Sequence, residues 1–322
     1  MYMFKYVMKR IALMLFVFFI IMTICFVLIK MLEPEMPMMG AQANLERARR
    51  EALGYNKPIM VQYGIYLTNI FTEWDWGTSW KIDYMKPVGS VIAQRLPPTV
   101  LLNVYSLIFS IPLGVVFGIY AALKKNKWQD QAISTLVMLF VSVPSYVYAF
   151  LVQYFLGFKL GWFPLTVSSL YDAGDSWTSW TMVTSMVLPV MAMSFSTIAG
   201  LTRFTRAELT EALTSEYMLL ARTKGLTRAQ ATSRHALRNA MVPILPSILA
   251  MIMGVFAGSM VIERIFSVNG IGQLYVQSIK MYDYDVFMAD SMFYTIIGLS
   301  STIIVDISYG FLDPRIRMGA SK

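Results

Sequence analysis

The chain has 322 residues, 57% of them hydrophobic and only 14% charged, with a net charge of +8 and a mean hydropathy of +0.55. Soluble domains carry about 25% charged residues, so a surface this apolar needs lipid as part of its solvent. A single cysteine and a single histidine exclude a disulfide framework and a multi-ligand zinc or haem centre.

A membrane-spanning helix needs about 20 mostly apolar residues. Segments 11–31, 99–123, 132–157, 181–202, 241–262 and 288–311 meet that test, which predicts an all-α integral membrane protein with six transmembrane helices. The first, IALMLFVFFIIMTICFVLI, follows Lys9-Arg10 and holds Cys25, read as inert packing. A cleaved signal peptide shares this layout, with Ala41-Gln42-Ala43 as the cleavage site. The apolar run is longer than a signal core, and the Ala-x-Ala lies beyond Pro34 and Pro37, so the segment reads as a retained helix.

Residues 32–98 form a long polar-to-amphipathic segment. AQANLERARREAL (41–53) reads as a short polar helix ended by Gly54. GYNKPIMVQYGIYLTNIF is half apolar and suits the membrane interface. Trp74, Trp76 and Trp80 fit the aromatic belt there, although a stacking platform for a sugar or base uses the same residues. Pro97-Pro98 marks the entry to the second span, because the first N–H groups of a helix have no partner. In the third span, Pro144 predicts a kink near any pathway.

Residues 203–240 are polar and carry one sign of charge. Arg222, Lys224, Arg228, Arg234, Arg238 and the lone His235 fall in ARTKGLTRAQATSRHALRNA, and no acid occurs from Tyr217 through Ile262. Lys and Arg are retained on the cytoplasmic side, and most of the 27 basic residues fall inside if both termini are cytoplasmic. Thr205-x-x-Glu208 and Thr227-x-x-Gln230 are capping-box patterns flanking Gly225. The expected order is a helix through about Lys224, a glycine break, a second short helix through about Arg238, and then the membrane at Pro243 and Pro246. Such a basic helix can meet headgroups, nucleic acid or a protein. Residues 225–240 lack the Trp or Phe that headgroup insertion uses and the interleaved aromatics that stack bases. Docking to a cytosolic protein uses every feature, with no nucleic acid among the partners.

Polar residues in spans are functional candidates. Asp306, near the inner end of the sixth span, is either a proton carrier or, as read here, a structural intramembrane group. Glu263, beside Arg264 at the outer end of the fifth span, is a candidate gate residue. Gly254 and Gly258 have the spacing that permits close helix approach. No GxxxxGK[ST] string occurs, so the chain has no phosphate loop of its own. A histidine outside the spans also rules out intramembrane serine protease chemistry.

EYMLLARTKGLTRAQATSRHALRNAMVPI resembles the cytoplasmic coupling segment of ABC importer permeases of the oligopeptide/dipeptide/nickel type. The general importer motif has Glu-Ala-Ala before the glycine and Ile-x-Leu-Pro after it. Here Leu219-Leu220-Ala221 and His235-Ala236-Leu237-Arg238 stand in those places, as in the peptide branch. LGYNKPIMVQY, WGTSW, RLPPTVLLN, VIERIFSVNGIGQL and DISYGFLDPRIR resemble, in order, the first (B-type) of that family's two permeases.

The resemblance implies a type I ABC importer permease fold, not an enzyme, in a bacterial or archaeal cell membrane. Residues 1–31 are then the N-terminal helix, and 32–98 an extracytoplasmic segment with short helices. Residues 99–311 are a five-helix transmembrane domain that includes the cytoplasmic coupling segment 203–240, and 312–322 are a cytoplasmic tail. The implied partners are a second permease, two cytosolic ATPases that bind ATP and Mg, an extracytoplasmic substrate-binding protein and the bilayer. This chain itself is expected to bind no cofactor or metal. ATPase contact falls on Arg222, Lys224, Gly225, Leu226, Thr227, Arg228, Ala229, Arg234, His235, Leu237 and Arg238, with Leu226, Ala229, Ala236 and Leu237 as the apolar anchors. The expected cargo is peptides, with nickel or oligosaccharides as alternatives. A proton-coupled secondary transporter and a membrane-anchored receptor are the readings from other classes.

Overall fold

A computed structural model describes residues 2–32, 44, 47–48, 51–52, 54 and 56–312. The helix predicted over 41–53, the Ala41-Gln42-Ala43 site and the tail 313–322 lie largely or wholly outside the described residues. Gly54 is described and has φ of +70°. Among the described residues, five helices are long and apolar enough to cross a membrane, and a bent helix pair makes a sixth span if it counts as one. The predicted six is the upper of these two counts.

The chain divides into two compact units, Met1–Pro97 with Ile271–Ser300, and Pro98–Gly270 with Ser301–Lys322. In the first unit, α1 (Tyr2–Leu32) shows Leu13, Phe16, Ile20, Ile24 and Leu28 on its open side. That spacing is one helical stripe, and an apolar stripe left uncovered is lipid-facing. Met22, Phe26 and Ile29 lie on the other side and pack on α2 (Ile59–Glu73) through Tyr63, Tyr66 and Ile70. α2 starts after Pro58 and stops at Trp74, whose φ of 55° is left-handed. α11 (Ile271–Met281) and the start of α12 (Tyr284–Leu312) complete this unit. The buried Asp283 between them accepts four hydrogen bonds on one oxygen. Ser79 Oγ donates at 2.7 Å, and the N–H groups of Trp80, Lys81 and Ile82 donate at 3.1, 3.0 and 3.1 Å. One carboxylate thus organises the loop that follows WGTSW.

Helix α3 (Val88–Leu123) starts well before Pro97, so Pro97-Pro98 lies inside a helix rather than at its entry, and the division between the units falls there. In the second unit α4 (Trp128–Ser142) and α5 (Ser145–Val152), which continues as a π-helical turn over Gln153–Lys159, meet at a bend of 100° beside Pro144. A break at this depth needs other donors for the released carbonyls. Tyr148 Oη supplies one, donating to Val143 O at 2.7 Å and also to Phe140 O.

Helix α6 (Trp180–Thr214) is the axis of this unit. Ser179 caps it by accepting from Met182 N at 3.2 Å, and Met182, Met186, Leu188, Ala192, Leu201 and Leu209 are buried along it. A Cβ on Gly114 of α3 would lie 2.8 Å from Leu201 Cβ, and one on Gly118 would lie 2.5 Å from Thr205 Cβ. Only glycine lets these backbones approach so closely. Thr205 is therefore an interior packing residue and not a cap, and the helix continues from the fourth span as expected but breaks at Ser215 rather than running unbroken to about Lys224. The helix runs on uninterrupted to Thr214.

Candidate functional site

The basic segment is built on the end of α6. Ser215 turns extended (ψ 155°) and separates α6 from α7 (Glu216–Thr223). The N–H groups of Gly225 and Leu226 close α7 on Arg222 O and Ala221 O at 3.0 and 3.3 Å. Gly225 has φ of +89°, a left-handed value that costs glycine nothing and costs other residues steric strain. Thr227 then caps α8 (Arg228–Ala231) with the predicted box. Gln230 N donates to Thr227 Oγ1 at 3.3 Å, and Thr227 N donates to Gln230 Oε1 at 3.1 Å.

The second helix does not stop near Arg238. It passes through a π-helical turn, Thr232–Ala236, directly into α9 (Leu237–Met253), and Pro243 and Pro246 lie within α9. The expected separate helix with two capped ends is thus one capped end fused to the fifth span. Arg228 and α9 are thus joined by continuous helical backbone.

The inner face of this segment is small and apolar. Met218, Ala221, Ala231, Ala236 and Ala240 are buried against Ala122, Leu209 and Ala212, with Leu226 packed on them. Alanine permits close approach, so α7, α8 and α9 sit tightly on α6 and the end of α3. Leu226 and Ala236, read from sequence as outward anchors, therefore face the chain's own core, and Leu237 is half-buried. Arg222, Lys224, Gly225, Thr227, Arg228, Ala229, Arg234, His235 and Arg238 are all exposed. Sequence reasoning missed Leu219 and Leu220, which are 66% and 56% exposed on the same outer face. The signal was present, since the residues three and four on from the two leucines are Arg222, Thr223 and Lys224, none of them apolar.

A second missed pair braces the segment from the side. Arg206 on α6 grips Asp130 on α4 with two bonds, Nε to Oδ1 at 2.5 Å and Nη2 to Oδ2 at 2.7 Å, while Asn126 N donates to Asp130 at 2.9 Å. The Asp130 side chain is 3% exposed. A bidentate, mostly buried pair fixes geometry far better than a surface pair.

The remaining candidates do not gather at one place. Pro144 is exposed at the bend of α4 and α5. α9 ends at Met253, Gly254 opens a 3₁₀ turn ending at Phe256, and Gly258 follows in extended chain. Gly254 and Gly258 thus share no helix face, and a Cβ on Gly254 would meet nothing within 4 Å. Glu263 lies in the separate short helix α10 (Met260–Ile265), fully buried, and accepts from Thr99 Oγ1 at 2.8 Å. Asp306 is half-buried within α12. Among the described residues, no three His, Cys, Asp or Glu gather as a metal site would require.

Comparison with known proteins bears on this arrangement directly. The family described as binding-protein-dependent transport system inner membrane component matches residues 114–318, and its N-terminal companion matches residues 3–103. The chain is 36% identical to the dipeptide transport system permease protein DppB of Lactococcus lactis subsp. cremoris, over 98% of this chain and 99% of that protein. It is 33% identical to DppB of Bacillus subtilis over 98% of each, and 30% identical to the glutathione transport system permease protein GsiC of Salmonella choleraesuis over 98% and 99%. A crystal structure of an amino acid ABC transporter with histidines shares the fold at 17% identity, with a TM-score of 0.50 over 69% of this chain and 94% of that one. Five or six apolar spans and a basic, capped segment, matched along nearly the whole chain, make this protein a multi-pass permease subunit of the binding-protein-dependent (ABC importer) inner membrane component family.

Proposed function

We propose that this chain and a second, similar permease form the pathway through which an ATP-driven importer takes up short peptides. In this reading both termini and residues 203–240 face the cytosol, 32–98 face outward, and an extracytoplasmic protein delivers the peptide. Two cytosolic ATPases hydrolyse ATP, and one of them seats on the outer face of α7 and α8. The observation that carries the reading is the two-sided segment itself. Its outer face is basic and exposed, and its inner face is an alanine cluster joined to α3, α6 and α9. A push on the outer face therefore moves three long helices together. Relatives named for dipeptide and for glutathione, which is itself a peptide, support a short-peptide cargo over nickel or oligosaccharides.

The geometry alters how docking works. An exposed ion pair contributes only about 0–1 kcal/mol, whereas burying a leucine contributes about 1.5–3 kcal/mol. Leu219 and Leu220 are thus the anchors, and the arginines steer and orient the partner. The test is purification of the tagged chain from its native membrane, followed by dipeptide uptake in vesicles reconstituted with what co-purifies. ATPases and a second permease should accompany it, and uptake should require ATP. Uptake that persists without the ATPases overturns the reading.

A further inference from the structure

The turn between α3 and α4, KKNKW (124–128), is a second basic feature outside the coupling segment. Asn126 has φ of +65°, a left-handed value that asparagine tolerates better than most residues. Lys127 N donates to Lys124 O at 2.9 Å, and Asn126 N donates to Asp130 Oδ2 at 2.9 Å, so the turn has a fixed shape. Asp130 is the only acid between Asp83 and Asp172. It is buried and gripped by Arg206 through both oxygens, and Ser134 Oγ donates to it as well at 3.4 Å. Its charge is therefore spent on Arg206 and not on the lysines. Leu209 and Ala212 of α6 pack on Ala122 at the end of α3, yet the neighbouring acids Glu208 and Glu211 form no ion pair with Lys124, Lys125 or Lys127. Lys125 and Lys127 are exposed, and Lys124 is half-buried.

The surroundings of these lysines are apolar. Phe109, Leu113, Val116, Tyr120 and Leu123 are exposed along α3 at spacings of four and three residues, a single helical stripe that ends at the lysines. Trp128 follows them and is 73% exposed. An apolar stripe that ends in an indole and a cluster of lysines matches the polar boundary of a bilayer. Tryptophan sits at the headgroup level there, and lysine lays its stem on apolar surface with its charge in water. The coupling segment is the contrast, since it is as basic but has neither Trp nor Phe over 225–240.

We propose that the KKNKW turn binds the headgroup of an anionic phospholipid. Lys125 and Lys127 meet the phosphate, Trp128 packs on the lipid beneath it, and the Asp130–Arg206 pair holds the turn on α6. A zwitterionic headgroup carries its own cation and gains less from the lysines. A soluble anion would use the lysines and leave Trp128 in water. An acidic protein face would leave the stripe on α3 unused. The inference needs only that the chain spans a bilayer, and its test reads lipid rather than uptake.

The purified permease, with whatever subunits accompany it, is placed in nanodiscs of equal parts phosphatidylglycerol and phosphatidylcholine, and retained lipid is measured by native mass spectrometry. The wild type should retain phosphatidylglycerol in preference. A lysine near an anionic surface is worth about fivefold, so Lys125→Gln with Lys127→Gln should lower that preference at least about tenfold. The melting temperature and the accompanying subunits should not change, because both side chains are exposed. Trp128→Ala should lower retained phosphatidylglycerol at least about threefold, although it removes no charge. Equal preference in the wild type and the double lysine variant overturns the proposal. So does loss of a subunit with lipid preference intact, which would place an acidic protein face on the turn. Unchanged retention in Trp128→Ala also overturns it, because the lysines would then serve a soluble anion.

Discussion

Leu219 and Leu220 stand on a face otherwise made of arginine, lysine, threonine and alanine, and they are far more exposed than Leu226. That difference separates docking from folding. Leu219→Asp with Leu220→Asp should leave the melting temperature unchanged and reduce co-purifying ATPase at least about tenfold, since tenfold is only 1.4 kcal/mol. Leu226→Asp places a charge on the alanine cluster and should lower the melting temperature instead. Retained ATPase in the double variant would show that the arginines alone hold the partner. Gly225 is the complementary case. Nothing lies within 4 Å of a Cβ there, so the only obstacle is its φ of +89°. Gly225→Val should cost about 1–3 kcal/mol of backbone strain, tilt α8 and abolish ATP-driven uptake. Gly225→Ala should retain part of the uptake, measured with radiolabelled dipeptide.

Among the helices, two glycine pairs of equal spacing meet different fates. Gly114 and Gly118 of α3 face Leu201, Thr202 and Thr205 of α6 at distances that admit no side chain, and Thr202 Oγ1 donates to Gly114 O at 3.2 Å. Gly254 and Gly258 lie past the end of α9. The four-residue spacing is the same in both pairs, and the sequence reading singled out only Gly254 and Gly258. Only the neighbour across the gap distinguishes them, and a neighbour distant in sequence leaves no local mark. Gly118→Val should therefore cost about 1–3 kcal/mol through overpacking, whereas Gly254→Ala should fall within about 0.5 kcal/mol of wild type. Thermal unfolding in detergent distinguishes them. The Arg206–Asp130 pair joins α4 to the same helix, so α6 ties the coupling segment to α3 by close packing and to α4 by charge.

For the molecule as a whole, the proposed orientation rests on where the basic residues fall. Cys25 is the only cysteine, so a Cys25→Ser chain is a clean background for labelling. A cysteine at Ala229 should react with a membrane-impermeant maleimide only from the cytosolic side, and one at Asp175 only from the outside. Labelling of both from the same side would rule out the six-span topology with cytoplasmic termini.

The sequence by itself determined what depends on short stretches. Runs of about 20 apolar residues set six spans, because each must satisfy its backbone within itself in lipid. The Thr227–Gln230 box and the left-handed Gly225 were legible because a cap involves only neighbours three residues apart. Tertiary structure decided what depends on packing. It kept α6 helical through Thr205, where a buried neighbour outweighs a capping pattern. It ran the coupling helix into α9 through prolines that the sequence marks as a boundary, and carried α3 through Pro97-Pro98. It turned Leu226 and Ala236 inward and left Leu219 and Leu220 outside. The physical reason is the same in each case. A local signal is worth about 1 kcal/mol, and a buried face contributes several times that once its partner is in place.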